Sequence, residues 1–226
     1  MSKLKWDEVG KRLYETGASK AVLFPQGPTG TYTTGIPWNG MVSVKQSPDG
    51  AEETAKYADN IKYLSMFSSE NFKGTIDAFT YPDEFAKCDG SAELVADSGV
   101  YVGQQERQGF GLAYSTIIGS DTAGNSHGEK LHLIYNAKVS PSERAYETIN
   151  ETPNAITFSW GFTTTPVSVD DIETLSRPTA YVCIDSTKCA PAKFKAIKDL
   201  LYGTDEPEGN SKLPTLAELV TILSAA

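Results

Sequence analysis

Apolar and polar residues alternate most cleanly in three stretches of the second half of the chain. In FGLAYSTII (110–118), Phe110, Leu112, Tyr114, Thr116 and Ile118 share one face, and Gly111, Ala113 and Ser115 the other. In EKLHLIYNAKV (129–139), a period of two puts Leu131, Leu133, Tyr135, Ala137 and Val139 on one side. His132 then falls on the polar side, where it reads as an ordinary surface residue. In ITFSWGFTTTPV (156–167), Ile156, Phe158, Trp160 and Phe162 alternate with small polar residues. Such alternation predicts half-buried strands. The intervening GSDTAGNSHG (119–128) reads as an extended hairpin loop, and TAYVCID (179–185) as a further strand.

The first half gives weaker signals. AVLF (21–24) predicts a brief strand stopped by Pro25. Asn39-Gly40 is a turn dipeptide, followed by MVSVKQS with Val42 and Val44 on one face. Gly74 to Tyr81 predicts a strand that Pro82 ends, with a short helix opening at Asp83 and Glu84. Residues 91–108 read as two short strands around Ser98-Gly99. Residues 1–17 fit a short helix or an arm, with Trp6, Val9 and Leu13 at i, i+3 and i+7. Residues 48–72 hold neither period for long, and a compact domain rarely keeps so long an irregular segment without a use for it.

Two helices close the chain. Pro191 suits a first turn, Phe194, Ile197 and Leu201 form a buried stripe, and Gly203 is the stop. After the polar linker 203–213, Thr215 and Glu218 form a capping-box pattern before the apolar stripe Leu216, Leu219, Val220 and Leu223. The expected fold is mainly β (α+β): an antiparallel β-sandwich or barrel with a flanking helix and N- and C-terminal extensions. Residues 1–203 form its β domain and 204–226 a linker and helix.

Composition narrows the function. The 226 residues include 19 glycines and 12 prolines, and the net charge is −9. That charge argues against a nucleic-acid grip, which needs clustered cations. No stretch approaches the ~20 apolar residues of a membrane span, and the opening MSKLKWDEVGKR has no secretory core. Cys88, Cys183 and Cys189 are widely placed and read as reduced thiols. No G-x-S-x-G is present, so a triad through His132 has little behind it. Cys183 and Cys189 lack the spacing and partners of a zinc site. Gly119–Ser126 only approximates a phosphate loop, with Asn125 where lysine belongs. Asp77 with Asp83 and Glu84 is the one carboxylate grouping, and helix capping accounts for the last two. The chain therefore reads as a non-enzyme without cofactor or metal, built to bind or assemble.

The segment GTIDAFTYPDEFAKCDG (74–90) resembles the signature of major tail proteins, the tail tube proteins of siphophages and prophages of Gram-positive bacteria. WDEVGKRLYETG, VLFPQ, WNGMVSV, YADNIKYL, GQQERQGFGLAYSTIIGSD, KLHLIYNAKVSPSE, ITFSWGFTTTPV and PAKFKAIKDLLYGTDE extend the likeness, in order, over nearly 200 residues. The resemblance implies a virion tail subunit, made in the host cytoplasm. It implies hexameric rings stacked into a tube whose acidic lumen conducts double-stranded DNA during ejection. Partners would be the tape measure, tail terminator and distal tail proteins. Within that picture Asp77 is the lumen-facing candidate, and Tyr57, Asp59, Tyr63 and Phe67 mark an inter-ring loop over 48–72. Trp6, Leu13, Leu216, Leu219 and Leu223 are candidate terminal-arm contacts. The alternative is a carbohydrate-binding β-sandwich of a tail or cell-surface assembly, with Tyr57, Tyr63 and Phe67 as its platform.

Overall fold

A computed structural model describes residues 3–149, 154–170, 172, 175–205 and 210–225. Part of the predicted linker, 206–209, lies outside them. The strands in chain order are β1 (Leu13–Pro25), β2 (Ile36–Trp38), β3 (Met41–Gln46), β4 (Asp49–Gly50), β5 (Glu53–Ala58), β6 (Ile61–Phe67), β7 (Glu70–Asn71) and β8 (Lys73–Ala78). Then follow α1 (Phe85–Cys88), β9 (Ala92–Glu93), β10 (Tyr101–Val102), β11 (Phe110–Ser120), β12 (Gly124–Val139), β13 (Phe158–Thr164) and β14 (Tyr181–Asp185). The chain ends in α2 (Pro191–Tyr202) and α3 (Leu216–Ser224).

Eight strands form one antiparallel sheet in the order β2-β1-β11-β12-β13-β8-β3, with β14 also paired to β12. The fold is thus mainly antiparallel β, as expected. The two end strands, β2 and β3, are consecutive in the chain and joined only by Asn39-Gly40. The sheet therefore curls until its ends meet, and β1 packs on β3, yet no ladder closes it into a barrel. Gly40, at φ +77°, makes the sharp link, and Phe79 N donates to Gly40 O at 2.9 Å.

An aromatic cluster fills the curl. Trp38, Phe85, Phe110, Trp160 and Phe162 are all buried, with Ile76, Leu112 and Val139 around them. The Trp38 and Phe85 rings lie 4.5 Å apart, and Phe85 and Trp160 5.1 Å. Trp38 Nε1 donates to Thr80 O at 2.9 Å, so the buried indole has its partner. A second core lies on the other face of the sheet. There Val22, Phe24, Ala113, Leu131, Leu133 and Tyr135 meet Phe194, Ile197 and Leu201, the stripe expected of α2.

The face assignment of β12 differs from the simple alternation. Leu131, Leu133 and Tyr135 enter the second core, but Ala137 and Val139 enter the first, beside Ile134. The cause is a bulge. Phe110 pairs with Ala137 but Leu112 with Ile134, so β12 carries an extra residue there. Asn136 sits at φ +48°, and one inserted residue exchanges the two faces. A bulge in β3 likewise separates Val44, which packs on the core, from Val42, which is exposed.

Other expectations change for similar reasons. Strand β1 runs 13 residues rather than four, because β11 offers it a long partner, and no helix forms over 3–17. The expected loop 119–128 is almost entirely strand, turning only at 121–123. The C-terminal helix forms with its capping box intact. It returns onto the chain's own second core through Leu213 and Leu219, and Tyr135 Oη donates to Pro214 O at 2.9 Å inside it.

Gly74 tests the tightness of the curl. A Cβ there would lie 2.2 Å from Lys45 O and 2.8 Å from the Phe162 ring, whereas one on Gly161 would meet nothing within 4 Å. Gly74→Ala is expected to lower stability by about 2–3 kcal/mol through overpacking, read as a lower urea midpoint. Gly161→Ala, the control, should leave the midpoint almost in place.

Candidate functional site

Segment 48–72, unassigned by period, folds into a two-stranded ribbon. Asp49-Gly50 pairs with Glu70-Asn71 at its base, and β5 pairs with β6 above. Asp59 and Asn60, at φ +51° and +62°, make the tip, a turn in which both central residues must be left-handed. A second bulge, between Lys56 and Tyr57, spoils the period of two. That bulge is why alternation missed the ribbon. The Asp-Asn pair was the available signal.

None of residues 49–71 is buried. The two faces of the ribbon nevertheless differ. Glu53 accepts from Lys62 and Ser65, which puts these three on one face with Tyr57 and Phe67. Bonds from Lys62 and then Ser65 hold the Glu53 carboxyl below its usual range. The opposite face carries Ile61, Leu64 and Met66, paired with Ala58, Lys56 and Thr54. Ile61 is 64% exposed and Met66 56%. A two-stranded hairpin gains little stability alone in water, so a ribbon with one apolar face is built to be covered.

The base of the ribbon is rigid. Phe72 stacks on Tyr181 of β14, rings 4.9 Å apart and 7° from parallel. Behind it lies a buried polar cluster centred on His132, which is not the surface residue that alternation suggested. By simple alternation His132 shares the inner face with Ile134, and the bulge at Asn136 turns Ala137 and Val139 onto that same face in place of Asn136 and Lys138. Its Nε2 lies 2.8 Å from Thr116 Oγ1 and its Nδ1 2.7 Å from Tyr181 Oη. The Tyr114 ring stacks on it at 4.6 Å, and Gln46 Nε2 donates to Tyr114 Oη at 2.7 Å. Gln46 ends β3 just before the ribbon departs, so this cluster joins β3, β11, β12 and β14 beneath it. Both ring nitrogens are satisfied by these two hydroxyls. The arrangement orders the strands.

Asp77 lies on the outer face of β8, half-buried. Its carboxylate accepts from Ser43 Oγ at 2.7 Å and Lys45 Nζ at 2.9 Å. Burial opposes its ionisation, but the bonds from Lys45, Ser43 and Ser159 outweigh that and hold its pKa below the usual range. Its charge is therefore countered by Lys45. Tyr57, Tyr63 and Phe67 are all well exposed on the ribbon, and Asp59 is at its tip. Of the terminal-arm candidates, Trp6 is 74% exposed and Leu13, which begins β1, 56%. Leu219 is buried in the chain's own core, Leu216 packs against it, and Leu223 stays largely open.

The three cysteines are free thiols. Cys88 is buried, and desolvation pushes its thiol up to about 12. Cys183 is exposed. Among the described residues no group of three or more His, Cys, Asp and Glu side chains is placed to hold a metal. No helix among them is long and apolar enough to cross a membrane.

No family model and no curated protein matches the chain. Among solved structures it is similar to the sheath/tube terminator of an extracellular contractile injection system, PVC, in the extended state. The two are 10% identical, over 80% of this chain and 99% of that one, with a TM-score of 0.30. A likeness at that score carries no argument about this chain's fold or role.

Burial lowers the His132 pKa, with the nearby Glu15 acting against that and Lys130 adding to it. The unfolded chain therefore takes up this proton at higher pH than the folded one. The contribution of His132 is complete above its unfolded value of about 6.5 and is lost as pH falls below it. Stability followed by urea titration should drop between pH 7 and 5. His132→Gln should flatten that part of the profile, whatever it costs at pH 7.

Proposed function

We propose that this chain is the structural subunit of a non-contractile phage tail tube, assembled from copies of itself in stacked hexameric rings. The observation that carries the reading is the ribbon β5–β6, ordered yet with none of its residues buried among the described residues. Six residues per strand reach about 20 Å, far enough to lie across a neighbouring subunit. The resemblance to tail tube proteins, spread in order over nearly the whole chain, supports the same assignment and supplies the ring geometry.

The outer face of β3, β8 and β13 is the proposed lumen wall. It presents Ser43, Thr75, Asp77, Ser159 and Thr163, with no helix over it among the described residues. Its Lys45 and Lys73 cations are engaged by Asp77 and Asp49. A wall of hydroxyls and paired charge, on a chain of net charge −9, offers DNA phosphates few cations to bind. Duplex DNA would slide without sticking. The partners at the two tube ends and along the lumen are the terminator, distal tail and tape measure proteins, in the virion tail after assembly in the host cytoplasm. Nothing in this role requires catalysis or a cofactor.

Tyr57, near the tip of the other ribbon face, and Phe67, at its base, are exposed aromatics and give the carbohydrate-binding reading its support. That reading expects a dispersed protein that binds glycans and loses them on Tyr57→Ala.

Electron microscopy of the purified protein across a concentration series is expected to show hollow tubes or six-fold rings. The triple variant Ile61→Asp, Leu64→Asp, Met66→Asp should keep the circular-dichroism spectrum and melting temperature of the parent, because these side chains support no core. It should form no tubes. Tubes that persist in the variant would remove the ribbon from the assembly.

A further inference from the structure

We propose that the N-terminal arm of one copy docks in a groove at the ribbon base of a second copy, with Trp6 as its anchor. The inference rests on the assembly reading above and names a contact for it. The groove has a volume of about 550 Å³, within the range of pockets that hold a large aromatic group. Phe67, Phe72, Pro178 and Tyr181 supply its apolar lining, and Glu70 and Arg177 its charged groups. The stacked Phe72–Tyr181 pair makes a rigid aromatic wall for an incoming ring. Glu70 and Arg177 are exposed, and neither takes part in an ion pair among the described residues.

The arm is the complementary object. Leu4, Trp6 and Val9 are 73%, 74% and 77% exposed, the largest run of uncovered apolar side chains near either terminus. Lys5 and Asp7 flank Trp6 and form no ion pair among the described residues. A cation, an indole and an anion in succession match an anion, an aromatic wall and a cation. Lys5 would meet Glu70, Trp6 the rings, and Asp7 Arg177. A buried tryptophan ringed by charged pairs is a common form of binding hot spot.

The chain's own arm is poorly placed to fill the groove. It is tied at Gly10, whose N–H donates to Asp121 Oδ1 at 3.0 Å at the β11–β12 turn. It enters β1, which β11 and β12 separate from β14. Three strand spacings, about 14 Å, lie between. A second copy meets no such constraint.

The test replaces Trp6 with the photo-crosslinker p-benzoylphenylalanine in the full chain and mixes ¹⁵N-labelled with unlabelled subunits before irradiation. The expected product joins a labelled to an unlabelled chain and maps to residues 67–72 or 177–181. In parallel, Trp6→Ala should raise the concentration needed for assembly roughly tenfold or more. Arg177→Glu should also raise it, and adding Asp7→Lys should restore it. If wild-type tubes form but the crosslink maps elsewhere or within one chain, the docking is overturned and the tube reading stands. Assembly indifferent to Trp6→Ala and Arg177→Glu has the same meaning. If the wild-type chain assembles at no concentration, the tube reading falls and takes this contact with it.

Discussion

The aromatic packing inside the curled sheet is the interaction on which the rest depends. Trp38 lies on β2 and Trp160 on β13, from opposite halves of the sheet, and both meet Phe85 of α1. Without rings of that size the two ends could not be drawn together across one interior. Each buried aromatic removes ~150–250 Å² from water, and their edge-on arrangement fixes the spacing. α1 has four residues and no side-chain cap. It persists because Phe85 and Cys88 are fully buried in this cluster.

Once the sheet is curled, every other surface acquires a definite status. One face of β1, β11, β12 and β14 turns outward beneath α2 and the returning C-terminal segment. The outer face of β3, β8 and β13 is left polar and open. The ribbon, starting between β3 and β8, is carried away from both cores, and the aromatic–histidine cluster at its base fixes its direction. The N-terminal arm leaves from the free start of β1. Uncovered apolar groups thus sit on the ribbon and the arm, as well as at Leu94, Val95 and Ile149; under the tail-tube proposal the ribbon and the arm are the parts that meet a second copy. A head-to-tail contact of that kind generates rings or tubes according to its rotation and rise.

Much of this was legible in the chain. The alternation in 110–118 and 158–162, the Pro191–Gly203 helix with its three-residue stripe, and the Thr215–Glu218 box all appear where the pattern put them, while Ile156 lies outside its strand and exposed. These features depend on contacts within a few residues or on one face of one element. The places where alternation failed share one cause. Bulges at Asn136, in β3 and in the ribbon each insert one residue and exchange inside for outside beyond it. A strict period of two puts Asn136 and Lys138 beside His132, which made its face look like surface, and period alone did not resolve the ribbon. Asn136 and the Asp59-Asn60 pair, both residue types that tolerate left-handed backbone, were the only local marks of these turns of the pattern.

The sequence by itself determined the strongly alternating strands and the two closing helices, that the domain is mainly β, and which side chains are large and apolar enough to need burial. Those are local consequences of side-chain shape and period. The tertiary structure decided what each apolar group is buried against, and which are left over. Val22 and Leu23 are equally apolar neighbours, yet they enter different cores. Leu219 and Ile61 are both apolar residues on amphipathic elements, yet one closes the chain's own core and the other has no cover. That difference is set by the curl of the sheet, because only a long-range fold brings a surface to one and withholds it from the other.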